Sequence, residues 1–266
     1  GYWGFVGGGM MFFSQYWGAR DEDGITRAYG LTLTFMMTVG LIFSALALTC
    51  PELVMNIYTD KKEIQSIGVI YLRIVGFAYP LQILVMAMSA LLRSIEQVRL
   101  PLYGGIASVI ANCGFNYLLI FGKLGFPRMG AAGAALGTVL AGVVNLVVLL
   151  AFVVWKKIPF ILEFSRHFRW SRSFVIQYLQ KCFPILCNEA FFGIGNMMVN
   201  IVLGHQSEQA IAAVAVFRTL EGLVIAFFSG FSNAASVLVG KEVGAGRHEI
   251  AYERAWRLVY LCSGLI

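Results

Sequence analysis

Charge is scarce in this sequence: Asp, Glu, Lys and Arg make up 13% of its 266 residues and gather in a few short stretches. Of the 14 acidic residues only Glu189 and Glu221 fall inside long apolar runs, and of the 20 basic ones only Arg73 and Arg218 do. With 59% hydrophobic residues and a mean hydropathy of +0.76, the chain lies outside the range of soluble globular domains, and its apolar runs of about twenty residues are long enough to cross a bilayer as helices. This reads as an all-α, polytopic membrane helix bundle. No soluble domain with a basic, aromatic-studded face is present, so no nucleic acid partner is expected. Three histidines, His167, His205 and His248, stand singly in what read as loops, and no metal site follows from them. The five cysteines have no CxxC or paired spacing and read as small buried hydrophobes.

Taken in order, residues 1–17 read as part of a membrane span whose beginning is missing, rich in glycine and ending FFSQYW. A polar stretch at 18–27 precedes a span at 28–50, stopped by Pro51, and a charged loop is expected through Ser66. The span at 68–91 carries Pro80 near its middle, where proline frees a carbonyl and kinks the helix. A short loop at 93–99 leads to the span at 102–122, with Gly104, Ser108, Asn112 and Asn116 spaced four apart on one face. Packing of small residues against a neighbouring helix and lining of a polar cavity both account for that stripe. The next span, 131–155, places Gly130, Ala134, Thr138 and Gly142 together, a pattern read as a helix contact. Residues 156–181 form the longest polar segment, with an aromatic and basic mix (RHFRWSR) suited to an anionic lipid surface. Further spans follow at 183–203 and 210–239, separated by the turn HQSEQ, and another begins at 258 beyond a loop at 240–257.

The span at 183–203 holds Glu189, a carboxylate whose burial in hydrocarbon costs roughly 2.5–3.5 kcal/mol on insertion scales. Gly193, Asn196 and Asn200 follow at steps of four, three and four, so all four share one face. Such a stripe is expected to turn a protonatable, hydrogen-bonding surface toward a water-filled cavity; the alternative is a carboxylate satisfied by a neighbouring helix. Arg218 and Glu221, three apart in the next span, are expected to pair with each other.

Loops at 18–27, 92–100, 156–181 and 240–257 hold fourteen of the twenty basic residues, and the opposite loops hold Lys61, Lys62, Lys123 and Arg128. The positive-inside rule puts the richer side in the cytoplasm. Trp17, Trp155, Trp170 and Trp256 lie near the same side, as an interfacial aromatic belt. An internal repeat is also present: Gly4-Phe5 recurs as Gly230-Phe231 and Gly18-Ala19 as Gly244-Ala245, an offset of 226 from 4 to 230 and from 18 to 244. Arg27-Ala28 recurs as Arg254-Ala255 with one residue inserted. The offset covers an even number of spans, so the two copies are expected to face the same way about an axis along the membrane normal. The sequence is then a piece, truncated at both ends, with a first bundle at 1–155, a cytoplasmic linker at 156–181 and the start of a second bundle at 182–266.

GARDEDGITRA at 18–28, NCGFNYLLIFGKLGFPRMGAAGAALGT at 112–138, FPILCNEAFFGIG at 183–195 and VGKEVGAGRHEIAYERA at 239–255 together resemble the multidrug and toxic compound extrusion (MATE) family. The resemblance is strongest where an Asn-x-x-x-(Asn or Asp)-Tyr pattern is met by Asn112, Asn116 and Tyr117, and a Pro-x-x-x-x-Glu pattern by Pro184 and Glu189. It implies twelve spans in two six-helix repeats, of which this chain keeps spans 2 to 8 and part of 9. It also implies an antiporter that exports organic cations in exchange for H⁺ or Na⁺, with a small organic cation and the lipid bilayer as partners, no cofactor, a monomeric state and a cell-membrane location. Some members carry Asp at the place of Asn116, so a cluster there is uncharged in this chain and weight shifts to Glu189. Candidate ion- and substrate-binding residues are Glu189, Asn112, Asn116, Asn196 and Asn200; Pro80, Pro184, Arg218 and Glu221 are structural candidates. Phe191 and Phe192 are candidates for cation–π contacts or plain packing. An alternative is a lipid-linked oligosaccharide flippase of the same superfamily, whose polyanionic cargo asks for a cavity lined by several Arg and Lys. An integral membrane transferase would need clustered Asp or His, and the acidic cluster Asp21-Glu22-Asp23 has no second cluster to match it.

Overall fold

A computed structural model describes residues 2–58, 62–204 and 208–264, which are mostly helical with no strand among them. In chain order the helices are α1 (Tyr2–Ala19), α2 (Glu22–Thr49), α3 (Pro51–Tyr58), α4 (Lys62–Gly76), α5 (Ala78–Ser94), α6 (Arg99–Phe121), α7 (Ala131–Trp155), α8 (Pro159–Leu162), α9 (Phe164–His167), α10 (Arg172–Gly204), α11 (Glu208–Gly244) and α12 (His248–Ser263). Five of them are long and apolar enough to cross a membrane, and α4 with α5, bent by 49° at their break, is long and apolar enough as a pair.

Helix starts and stops are set by local chemistry. Asp21 caps α2, its carboxylate accepting from the Gly24 N–H at 2.8 Å, so the polar stretch at 18–27 shrinks to a turn around Arg20 and Asp21. Pro51 ends α2 but opens α3, a position where its missing N–H costs nothing. The charged loop expected after it is therefore mostly helix; Lys61 lies outside the described residues. α5 breaks from α4 at Phe77, three residues before Pro80. Pro80 has no N–H to offer the Gly76 carbonyl, and the Ser44 hydroxyl of α2 donates to that carbonyl at 2.8 Å instead. The kink expected from Pro80 is thus present, with its freed carbonyl satisfied by a neighbouring helix.

Other expected loops are also shorter than the charge pattern suggests. Residues 172–181 of the 156–181 segment are the first turns of α10, which runs for 33 residues with Pro184 inside it. α11 runs 37 residues, about 55 Å at 1.5 Å per residue, and together with α12 takes in most of 240–257. Charges at a span's ends sit in water, so polarity marks the membrane boundary earlier than it marks the helix end. His167 is buried on α9, where its Nε2 meets the Phe160 carbonyl at 2.8 Å and its ring lies edge-on to Tyr29 at 5.3 Å. It is not a loop residue, because it plugs the short α8–α9 segment into α2. His248 opens α12, and His205 with the rest of 205–207 lies outside the described residues.

The core is an aromatic and aliphatic cluster at the meeting of α1, α2, α5 and α10. Phe12 stacks on Tyr178 at 5.0 Å and Phe5 on Phe35 at 5.3 Å, offset arrangements that aromatic quadrupoles favour. The buried Tyr178 hydroxyl bonds Thr32 Oγ1 at 2.8 Å. This cluster fixes α1 between the α2–α7 helices and the α10–α11 pair.

Candidate functional site

Two places in the fold gather polar side chains from several helices, one between apolar spans and one at the basic end. The first is a cavity of about 330 Å³ between α5, α6 and α7. Asn112 and Ser108 reach it from α6, Gln82 from α5, and Thr138 and Asn145 from α7. The Asn116 amide donates to the Asn112 carbonyl oxygen at 3.0 Å, which locks the two asparagines one turn apart. The Ser108 hydroxyl donates to the Ala141 carbonyl at 3.0 Å, crossing from α6 to α7. The four-residue stripe therefore both packs against α7 and lines a cavity.

Close approach of α6 and α7 leaves two amide oxygens without a hydrogen-bond donor among the described residues, those of Asn116 and Asn145. Gly137 makes room for the first, since a Cβ there would collide with the Asn116 oxygen, and a Cβ on Gly104 would lie 2.6 Å from the Asn145 oxygen. An unsatisfied buried acceptor costs about 1–3 kcal/mol, so the Asn145 oxygen, on a residue that lines the cavity, favours a donor or a cation arriving there. The helix contact expected through Gly130 and Gly142 is not made: neither has an atom within 4 Å of a built Cβ. α7 faces α6 with Gly133 and Gly137 instead, and Thr138 and Gly142 turn to the cavity. Gln82 and Asn145 were missed as site residues. The signal was available, for each is a lone amide within an otherwise apolar run.

The second place is the crossing of α1 and α11 at their C-terminal ends. A Cβ on Gly18 would strike the Lys241 carbonyl, and one on Gly244 would strike the Gln15 carbonyl. Residues 15 and 241 stand at the same offset, 226, as 18 and 244, so the two contacts are copies of one another about a two-fold axis. Near that axis the Ser14 hydroxyl reaches the Ser236 carbonyl at 3.3 Å and abuts Gly240. A polar latch flanks the crossing: Lys241 Nζ lies 2.7 Å from Glu96 Oε1, and Trp17 Nε1 donates to Glu96 Oε2 at 3.3 Å. The Lys241 hydrogen bond, first, and Trp17 with it hold the Glu96 carboxyl below its usual range. Arg247 and Arg254 clamp the buried Glu242 at 2.6 and 2.9 Å, joining the α11–α12 turn to the same end. Between α5 and α11 lies a further cavity of about 480 Å³ to which Arg93, Glu96, Asn233 and Val237 contribute.

The remaining sequence candidates are not gathered into either place. Glu189 is half-buried on α10 and forms no ion pair among the described residues; Asn196 donates to the Phe192 carbonyl of its own helix at 3.1 Å, and Asn200 is exposed. Phe191 and Phe192 are exposed. Asn112 and Asn116 are therefore separate from the Glu189 face. The pair expected between Arg218 and Glu221 does not form within 4.0 Å among the described residues. Both side chains stand on a lightly packed part of α11, and an i,i+3 pair worth a few tenths of a kcal/mol does not fix two long side chains unaided.

Fold and sites define a polytopic helical membrane protein built on an internal repeat whose equivalent helices meet at one end. The chain belongs to the MatE family, whose model matches residues 2–118 and 184–266. It is similar to the uncharacterized transporter YisQ of Bacillus subtilis, 22% identical over 258 residues that cover 97% of this chain and 56% of that one. It is 30% identical to the probable multidrug resistance protein NorM of Thermotoga maritima over 239 residues, 87% of this chain and 50% of that one. The chain thus spans about half the length of the curated relatives it matches. Among solved structures, the MATE multidrug transporter DinF-BH superposes with a TM-score of 0.79 at 18% identity, over 96% of this chain and 57% of that one. An outward-facing multidrug resistance MATE family transporter gives 0.75 at 17%, over 97% and 57%. At such identities the structural likeness establishes the fold. Nothing among these relatives supports the oligosaccharide flippase.

Proposed function

We propose that this chain is part of a secondary antiporter that exports small organic cations in exchange for H⁺ or Na⁺ by alternating access. The observation that carries the proposal is the two-fold α1–α11 crossing. It joins the two repeats through glycine contacts and an ion pair whose side chains are 31% and 45% exposed, worth at most about 1 kcal/mol. An ion pair of that strength opposes little to the parting of the two helices, as rocking of one repeat against the other requires. With the basic end read as cytoplasmic, contact of α1 with α11 there is the arrangement proposed for an outward-open state. The names of the relatives, among them probable multidrug resistance proteins, favour drug-like cargo.

Glu189 is the proposed exchange carboxylate: protonation or Na⁺ neutralises it and releases the cargo, and water on the other side frees it to attract the next cation. The uncharged amide cavity of Gln82, Asn112 and Asn145, with Asn116 holding Asn112 from one turn away, is proposed as a second, weaker cation seat, because oxygen donors without a carboxylate hold a monovalent ion loosely. In full-length protein reconstituted in vesicles, Glu189→Gln should insert and fold normally yet lose gradient-driven export of an ethidium-like cation, while Glu189→Asp retains part of it. Undiminished export by Glu189→Gln at normal protein level overturns the assignment.

A further inference from the structure

We propose that the cytoplasmic face carries a binding site for a phosphate group, formed by Arg27, Arg166 and Arg169, and that its natural occupant is an anionic phospholipid headgroup. Arg27 from α2, Arg166 from α9 and Arg169 just beyond line one hollow of about 260 Å³ together with Asp23. The charges in and around the hollow do not balance. Arg166 takes both nearby carboxylates, Asp23 at 3.5 Å and Glu163 at 3.0 Å, so Arg27 and Arg169 face the hollow with no carboxylate within 4.0 Å among the described residues. Arg27 is held in place because its Nε donates to the Asp23 carbonyl at 3.2 Å, and the Arg169 backbone is anchored to the Arg166 carbonyl at 3.3 Å. Guanidinium groups that line one hollow without a carboxylate of their own match the fork geometry of phosphate oxygens.

The surroundings select a lipid over a soluble phosphate. Phe168, 60% exposed, packs against Trp170 at 5.7 Å beside the arginines, and Leu162 is 45% exposed on the same short segment. Aromatic and aliphatic side chains next to a basic hollow at the membrane surface suit a headgroup with an acyl chain leaving along the apolar flank. The α8–α9 segment, which supplies Arg166 and leads directly to Arg169, packs on α2 through His167 against Tyr29 and Gly30, so the hollow is a fixed feature of the fold.

The test uses the full-length protein purified in detergent, with three probes: phosphatidylglycerol, phosphatidylcholine and inorganic phosphate at millimolar concentration. Native mass spectrometry of the wild type should show retained phosphatidylglycerol at about tenfold higher occupancy than phosphatidylcholine, and Arg27→Gln/Arg169→Gln should abolish that preference. Arg27→Lys/Arg169→Lys keeps the charge and should fold as the wild type while retaining part of the preference. Lys123→Gln/Arg128→Gln, at the opposite end, should change nothing. Displacement of the lipid by inorganic phosphate, with equal thermal stabilisation by both, supports the site and assigns it to the free anion. Unchanged lipid preference in the folded Arg27→Gln/Arg169→Gln protein, or no response to any probe, overturns it.

Discussion

At the residue scale the clearest lesson is the Pro80 break. A proline inside a span leaves the carbonyl four residues before it without a donor, and in hydrocarbon no water is at hand to supply one. Ser44, 32 residues earlier in sequence, supplies it to Gly76. Ser44→Ala should lower the thermal midpoint of the detergent-solubilised protein, with a cost of about 1–3 kcal/mol for the orphaned carbonyl. Pro80→Ala in the same chain restores a backbone N–H for Gly76 and should recover most of the loss. If Ser44→Ala costs the same with and without Pro80, the hydroxyl is not serving the break. The kink itself was legible in the sequence, because proline chemistry is local. Its partner was not, since nothing in a single sequence says which serine of another helix will stand opposite. The same limit explains the amide cavity: Asn112 and Asn116 form a visible stripe, whereas Gln82 and Asn145 join it only through the packing of α5 and α7.

At the scale of elements, the repeat at offset 226 was legible as a repeat, and it implied that α1 and α11 are equivalent. That the equivalent helices touch, and through the repeated Gly-Ala pairs, was settled by packing. Glycine there lets two backbones meet at carbonyl distance, so the crossing is sensitive to any added side chain. A built Cβ on Gly240 lies 3.0 Å from the Ser14 Cβ, close to the roughly 3.5–4.5 Å that a disulfide spans. Ser14→Cys/Gly240→Cys in a cysteine-free full-length protein should therefore cross-link readily under mild oxidation. Export should stop when the bond forms and return when it is reduced. Full export with the cross-link in place shows that the crossing stays shut throughout the cycle, and alternating access at this end is then wrong.

At the scale of the molecule, the fold and the distribution of charge point the same way. The fourteen basic residues, on or beside the ends of α1, α2, α5, α6, α7, α9, α10, α11 and α12, meet at one end, tied by Arg166 to Asp23, Lys241 to Glu96 and Lys156 to Gln97. The opposite end shows the α6–α7 turn, where Leu124 is 87% exposed and the described basic residues are Lys62, Lys123 and Arg128. The positive-inside rule acts on such short loops and predicts the basic end in the cytoplasm. This prediction is strong because an error in a single span would reverse every later loop, and the ion pairs now show that loops far apart in sequence share one end. In whole cells expressing a cysteine-free, full-length protein, Lys123→Cys should react with a membrane-impermeant maleimide. Ser173→Cys and Glu249→Cys, both exposed at the basic end, should react only after permeabilisation. Labelling of Ser173→Cys or Glu249→Cys in intact cells, with Lys123→Cys protected, would place the Lys241–Glu96 latch and the three-arginine hollow on the outer face, and the direction of transport proposed here would reverse with them.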